Sequence, residues 1–385
     1  MSDKFDVAII GAGPAGSTAA RLLAEKGYRI LLVDKATFPR DKICAGWVNR
    51  LAVERFPYLQ ESLDTLMETP FYGLTFLSPD LLRRALYQEN KPVGYLALRS
   101  RFDDGLRRIA LEAGVEFIEG NGLLKMEEEQ DAVRFTLQRG DTYRASVVIG
   151  ADGAHSRVAR LLSMRRCWQK QWRVVCANED LPSSPQRVLS FYGEKPCIYV
   201  IPKFGDLTGY GWVFPKKHHI CVGIGGFLKK GQSIKRLYFQ LIRALQENGL
   251  LPEESIPQSV SYAIDPVGGV YSQRSLVKGR VLLVGDAAGF VSSLTGEGIY
   301  PAMVSAQCAA EVIDSAFRRG TITEKLTEFN LQWSKALGNY LKPPSSQLRK
   351  RLALKLLPLL FKSRYFSRIA ARAYLYGKNI TLGSN

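Results

Sequence analysis

Residues 5–35 read FDVAIIGAGPAGSTAARLLAEKGYRILLVDK. The apolar run 5–10, bounded by glycine, reads as a buried parallel strand. From Gly11 the chain is glycine-rich, and it continues as a helix that ends at Gly27. YRILLVDK reads as the next strand, which completes a βαβ unit of about 30 residues. Gly11, Gly13 and Gly16 form the spacing GxGxxG. The first glycine permits the tight turn, the second lets the backbone approach a pyrophosphate, and the third lets helix and strand pack closely. The helix N-terminus, entered through Pro14 and Ala15, offers unpaired N–H groups and the positive end of its dipole to phosphates. Asp34 closes the second strand, placed to bond a ribose hydroxyl. A lone GxGxxG is a weak signal; strand, turn, helix and acid in this order predict a dinucleotide site.

The 385 residues are enough for two domains, or for one large fold with an inserted module. Hydrophobic content of 46% and charged content of 23% are ordinary globular values. The six cysteines, Cys44, Cys167, Cys176, Cys197, Cys221 and Cys308, are scattered with no CxxC pair. This argues against a disulfide framework or a zinc site and for a reducing compartment. His218 and His219 are adjacent, without helical ligand spacing, and read as strand or turn. The N-terminus runs directly into structure with no signal-peptide pattern, and there is no run of about 18 apolar residues. The expected location is the cytoplasm.

Beyond the first unit, 99–118 reads as an amphipathic helix followed by a strand. Residues 133–150 read as a hairpin ending in a buried strand. From 170 to 265 short β-type runs dominate, interrupted by a helix near 233–248, as in an antiparallel sheet. A buried strand then returns near 281, followed by a helix through about 318. The expected fold is α/β (α+β overall): a Rossmann-type domain from 1–75, 97–165 and 266–318, an inserted β-rich substrate domain from 76–96 and 166–265, and a basic helical region at 319–385.

The net charge of +17 is uneven: Phe329–Asn385 holds eleven Lys or Arg and no Asp or Glu. Within it, LRKRLALKLLPLLFKSRYFSRIAARAYLY (348–376) mixes cations with Leu, Phe and Tyr, and Pro358 splits it in two. The mixture suits an interfacial helix at an anionic membrane surface better than a nucleic-acid arm, and no nucleic-acid partner is expected. The plain alternative is a pair of amphipathic helices packed on the body with a basic outer face. Oligomeric state is not legible.

Two later segments point to FAD. GADGAHSRVAR (150–160) and VLLVGDAAGFVSSLTGEGIYPAM (281–303) resemble the DG and GD fingerprints of the p-hydroxybenzoate hydroxylase-like flavoproteins. The likeness covers most of residues 1–315. It implies that Asp286 bonds the ribityl or ribose part of FAD, that Gly296, Gly298 and Ile299 bring backbone N–H groups to the flavin ring, and that Arg99 lies near the phosphates. Reduced flavin carries negative charge near N1, which oriented N–H dipoles stabilise. Asp152 also has a simpler reading, as the turn aspartate of an Asp-Gly pair. The cofactor-binding set implied is Gly11, Gly13, Pro14, Ala15, Gly16, Asp34, Lys35, Cys44, Ala45, Gly46, Arg99, Leu123, Asp152, Gly153, Gly285, Asp286, Gly296, Gly298 and Ile299, with no metal.

KICAGW (42–47) and GYGWVFP (209–215) are similar to the geranylgeranyl reductase branch of that superfamily, which carries a Lys-x-Cys-Gly segment and a Pro-x-x-Tyr-x-Trp-x-Phe-Pro pattern. Here Ala45 and Leu207 depart from the pattern. The resemblance implies reduction of isolated C=C bonds of a polyprenyl group on a lipid, quinone, diphosphate or tetrapyrrole. Such an alkene is not electrophilic, so hydride and a proton must both be delivered, in a dry, electron-rich pocket. Tyr210, Trp212 and Phe214 alternate onto one strand face and are expected to line the substrate slot, or else to be plain core. Cys44 is expected beside the flavin, as proton donor or as a pocket wall. NADPH, NADH or a reduced ferredoxin would supply electrons, since no separate nicotinamide-binding domain is legible. A monooxygenase acting on an aromatic or lipid is the alternative; a halogenase is disfavoured because its Gly-Glu-Ser segment is missing. A non-catalytic flavin sensor is a third class. A protein on membrane-borne substrates would sit peripherally on the inner face.

Overall fold

The structure is a computed structural model and describes residues 4–258, 260–342 and 357–377. Two compact units emerge. The first comprises Met1–Asp41, Ser100–Trp172 and Pro266–Leu341; the second comprises Lys42–Arg99, Arg173–Asp265 and Lys342–Asn385.

The first unit is organised by a sheet whose strands run in the order Val277–Lys278, Val281–Leu283, Thr142–Gly150, Lys4–Ile10, Ile30–Val33, Glu116–Ile118. From Val281–Leu283 to Glu116–Ile118 every pairing is parallel. Val7, Ala8 and Ile9 of the central strand are fully buried, as a strand covered on both faces requires. The helix Pro14–Ala24 follows the first strand, with proline at its first turn. It packs on Ile299–Arg319, which in turn packs on Phe329–Leu341. The expected hairpin is Val133–Leu137 paired antiparallel with Thr142–Gly150.

The second unit holds a seven-stranded sheet in the order Ser261–Asp265, Val174–Pro182, His219–Phe227, Thr208–Pro215, Ile198–Pro202, Gly73–Leu77, Arg84–Gln88. Its pairings are antiparallel except Ile198–Pro202 with Gly73–Leu77. One face is covered by the helix Ile234–Glu247, capped by Ser233, which buries Leu237, Tyr238, Leu241 and Leu245. Toward the other face lie Tyr374 and Leu375 of the C-terminal helix Arg364–Tyr376, in one apolar cluster with Trp47, Phe76, Trp212 and Phe214. Close approach here depends on glycine: a Cβ on Gly223 would stand 2.2 Å from Trp212 Cζ2.

This division differs from the expected one at several boundaries: 97–99 pass to the second unit, 166–172 to the first, and the described C-terminal residues 357–377 belong to the second unit rather than standing apart, and two larger stretches change sides. Residues 42–75 join the β-rich unit, because Trp47–Asn49 pairs with Gly94–Leu96 and Gly73–Leu77 enters the seven-stranded sheet. Residues 319–341 join the first unit, because Phe329, Trp333 and Leu337 are buried on a helix packed along Ile299–Arg319. Pro358 lies in a short 3-10 turn, Leu357–Phe361, ahead of the C-terminal helix. Of the expected 345–385 segment, 345–356 and 378–385 fall outside the described residues.

Candidate functional site

In the first unit the three glycine-bearing turns touch. Gly11 has φ +107°, and a Cβ there would stand 2.3 Å from Ala151 O, in the DG segment. A Cβ on Gly16 would stand 1.7 Å from Gly11 O and 3.3 Å from Ala151 Cβ. A Cβ on Gly285, φ +57°, would stand 3.0 Å from Ala15 Cβ. Any side chain at Gly11 or Gly16 would therefore drive these turns apart.

Asp34 is buried at the end of the second strand. Its Oδ2 accepts the Ala12 N–H at 2.7 Å and its Oδ1 accepts the Ala36 N–H at 2.9 Å. The carboxylate thus holds the glycine turn in place, and lone pairs remain for a hydroxyl. Lys35 beside it is exposed. Leu123 is buried at the start of the strand Leu123–Glu128, and Arg99 is buried at the start of the helix Arg99–Glu112.

Asp152 caps the short helix after it: Oδ2 accepts the Arg157 and Val158 N–H groups at 2.6 and 3.1 Å. Burial pushes its pKa up, while Ser156 and those two amides pull the other way. Its Oδ1 is buried with no partner among the described residues, and beside it a Cβ on Gly153 would meet open space. Asp286 sits in the first turn of Gly285–Ala288, with Oδ1 3.2 Å from a Cβ built on Gly298. Gly296 donates its N–H to Ser292 O at 2.9 Å, so that amide is already engaged. The amides at the start of Ile299–Arg319, Ile299 included, have no intrahelical acceptor.

One residue of this cradle escapes the sequence reading. Arg40 Nη2 lies 3.5 Å from a Cβ built on Gly13 and 3.0 Å from Oδ2 of the fully buried Asp103. A guanidinium beside the second glycine complements phosphate charge. The chemistry of this donor set fits FAD. It combines a glycine-lined approach with a cation, a carboxylate at a strand end, an orphaned carboxylate oxygen and a helix N-terminus.

In the second unit, Cys44 lies in a loop, partly exposed, with Sγ 3.4 Å from the Gly46 N–H. Asn178 Nδ2 donates to Cys44 O at 3.4 Å. Gly46 has φ +78°; a Cβ there would stand 1.9 Å from Ala97 O and 3.1 Å from Lys216 Nζ. Lys216 is fully buried and its ammonium donates to Asp180 Oδ1 at 2.5 Å. Burial alone would lower its pKa, but the Cys221 sulfur, the Asp180 carboxylate and the Cys44 sulfur more than offset that and the net shift is upward. Lys216 directly follows GYGWVFP, where a lysine after a strand reads from sequence as a surface residue; the structure buries it instead.

Tyr210, Trp212 and Phe214 do share one face. Trp212 and Phe214 belong to a single apolar cluster against which Tyr210 packs, while Val213 faces the cluster around the helix Ile234–Glu247. Tyr210 lies 5.7 Å from Trp212 and 6.0 Å from Tyr374, centroid to centroid. Burial pushes the Tyr210 phenol well above its ordinary pKa, with Tyr374, Cys176 and Asp265 adding to the shift. Ala45 packs against the same cluster.

Comparison with known proteins agrees with this geometry. Residues 4–192 match the family described as FAD binding domain. A digeranylgeranylglycerophospholipid reductase of Methanosarcina mazei is 31% identical over 88% of this chain and 83% of its own. A geranylgeranyl diphosphate reductase of Synechocystis sp. is 29% identical over 86% of this chain and 81% of its own. A solved geranylgeranyl bacteriochlorophyll reductase-like protein from Thermoplasma acidophilum superposes with a TM-score of 0.78 at 21% identity, over 98% of this chain and 94% of that one. With glycine turns, acids and aromatic strand in place and a relative this close over this length, the chain belongs to the geranylgeranyl reductase family of FAD-dependent oxidoreductases.

Proposed function

We propose that the protein saturates isolated C=C bonds of a geranylgeranyl-type polyprenyl group carried on a lipid, quinone, diphosphate or tetrapyrrole. When bound, FAD supplies the hydride. The Gly11–Gly16 turn, Asp34 and Arg40 would hold its diphosphate and ribose end. Asp152, Asp286 and the amides at Ile299 would hold the rest, the helix N-terminus favouring negative charge there. Tyr210, Trp212 and Phe214 supply an apolar, electron-rich wall, which excludes water and favours developing positive charge on an alkene carbon. Cys44 is the proposed proton donor, or a wall of the pocket, and the Lys216–Asp180 pair steadies the Gly46 backbone next to it. NADPH, NADH or a reduced ferredoxin is the proposed source of electrons. The substrate is membrane-borne on this reading, and the protein meets it peripherally, on the inner face of an anionic membrane, through 345–385.

The observation that carries the reading is the aromatic face of Thr208–Pro215, in a chain whose named relatives act on geranylgeranyl groups. The test is anaerobic turnover of prenyl substrates by the holoprotein, followed by mass spectrometry, with the three electron donors compared in parallel. Products heavier by two hydrogens per reduced bond are expected. Strict dependence on O2 with one oxygen incorporated would instead identify the aromatic or lipid monooxygenase and overturn the reductase reading.

A further inference from the structure

A groove of about 1390 Å³ opens in the second unit between the edge strand Arg84–Gln88 and the C-terminal helix Arg364–Tyr376. Six cations line it, Arg50, Arg84, Lys362, Arg364, Arg368 and Arg372, against two acids, Glu54 and Glu89. Both acids are engaged by Arg50, at 3.2 and 3.4 Å. Glu89 also accepts the hydroxyls of Tyr87 and Tyr376, at 2.6 and 2.7 Å. Among the described residues, the other five cations have no carboxylate partner.

Arg364, Arg368 and Arg372 are exposed and stand four residues apart, so they form one row along the helix. Like charges at that spacing repel, and a counter-charge in the groove relieves that repulsion. Across the groove Arg84 and Leu86 alternate outward from the edge strand, and Leu86 is 59% exposed. Tyr365, next to Arg364, is 69% exposed, and Leu82, just before the strand, is 75% exposed. Unpaired arginines interleaved with exposed apolar side chains match the two signals that hold a protein at an anionic bilayer: charge for the phosphates and apolar contact for the acyl boundary. A soluble anion would use the arginines and leave Leu82, Leu86 and Tyr365 without a role.

We propose that this groove and its rim dock on the phosphate head groups of an anionic phospholipid leaflet, with Arg84, Arg364, Arg368 and Arg372 as contacts. The proposal rests on the reading of a membrane-borne substrate and assigns the residues that reach that membrane. The test is co-sedimentation of the full-length holoprotein with phosphatidylcholine vesicles, with and without phosphatidylglycerol. Wild type is expected to bind only the anionic vesicles. The Arg364→Gln/Arg368→Gln/Arg372→Gln variant, altered at exposed positions only, is expected to lose at least about tenfold in partitioning. Leu86→Ser is expected to weaken it less. A charge-matched control, Lys230→Gln/Lys235→Gln/Arg236→Gln, exposed elsewhere on the unit, is expected to bind as wild type.

Undiminished binding by the arginine variant, or equal loss in the control, overturns the proposal. So does inorganic diphosphate that binds wild type but not the arginine variant while vesicles bind neither, which would mark a soluble-phosphate site. Turnover of a detergent-dispersed prenyl alcohol separates the two readings. If it persists while vesicle binding fails the test, the reductase reading stands and the docking face falls.

Discussion

Lys216 Nζ lies 2.5 Å from Asp180 Oδ1, and the same ammonium is 3.1 Å from where a Cβ on Gly46 would be. A fully buried lysine thus lies beside the Gly46 backbone of KICAGW. Removing one partner of a buried pair leaves the other uncompensated, at a cost of about 3–5 kcal/mol; Asp180 is partly exposed, so the lower end applies. Lys216→Met should lose about 3 kcal/mol in urea denaturation, and Lys216→Met/Asp180→Asn less than the sum of the single changes. The folded-state pKa of Lys216 is raised. The pair's contribution is therefore fully present below the unfolded lysine value of about 10.4 and is lost as pH rises through the folded value. The stability difference between wild type and Lys216→Met should shrink as pH rises through that alkaline range; a difference that stays constant across it refutes the assignment.

Gly11→Ala introduces a side chain 2.3 Å from Ala151 O at a φ of +107°. Strain of ~1–3 kcal/mol, at ~1.4 kcal/mol per tenfold, predicts FAD affinity lower by roughly fivefold to a hundredfold. Absorbance of the purified protein near the flavin band, per mole of chain, reads this directly. Full yellow occupancy would show that the turn does not face the cofactor.

Arg40→Gln should weaken FAD binding by about tenfold, as expected for a charge-assisted contact to phosphate. Arg40→Lys should fall between, keeping charge and losing the fork. Titration of apoprotein by quenching of flavin fluorescence distinguishes them. Equal affinity in all three proteins leaves Arg40 with a structural role, in its ion pair to Asp103 and its place over the Phe38 ring.

Trp47 stacks on Tyr374 at 5.6 Å with the rings 5° from parallel, and Asn49 Nδ2 donates to Leu375 O at 2.8 Å. This strand anchors the C-terminal helix. Trp47→Ala should cost about 3–5 kcal/mol and speed proteolysis within 357–377. Unchanged cleavage would mean that the helix is held by other contacts.

Cys44→Ala should retain flavin while product formation falls by about a hundredfold, the lower range for loss of a positioned acid. Single-turnover kinetics with flavin content measured alongside is the check. Wild-type turnover removes the thiol from the chemistry and leaves it a wall.

Much of this was legible in the chain because it is local. The GxGxxG turn, the alternation of Tyr210, Trp212 and Phe214, and the helix near 233–248 each depend on neighbours a few residues away, where backbone sterics and side-chain periodicity act. Lys216 and Arg40 were not legible in that way. Asp180 reaches Lys216 only because Val174–Pro182 pairs with His219–Phe227, which pairs with Thr208–Pro215. Arg40 meets Asp103 only across the folded first unit. The assignment of 42–75 likewise depended on strand partners far along the chain, Gly94–Leu96 and Ile198–Pro202. By itself, then, the sequence determined the nucleotide-binding turns and the aromatic strand, through short-range geometry. Tertiary structure decided which charges are buried together and which arginines, among the described residues, have no carboxylate partner, because those outcomes depend on long-range pairing and on burial, which raises the cost of every unpartnered charge.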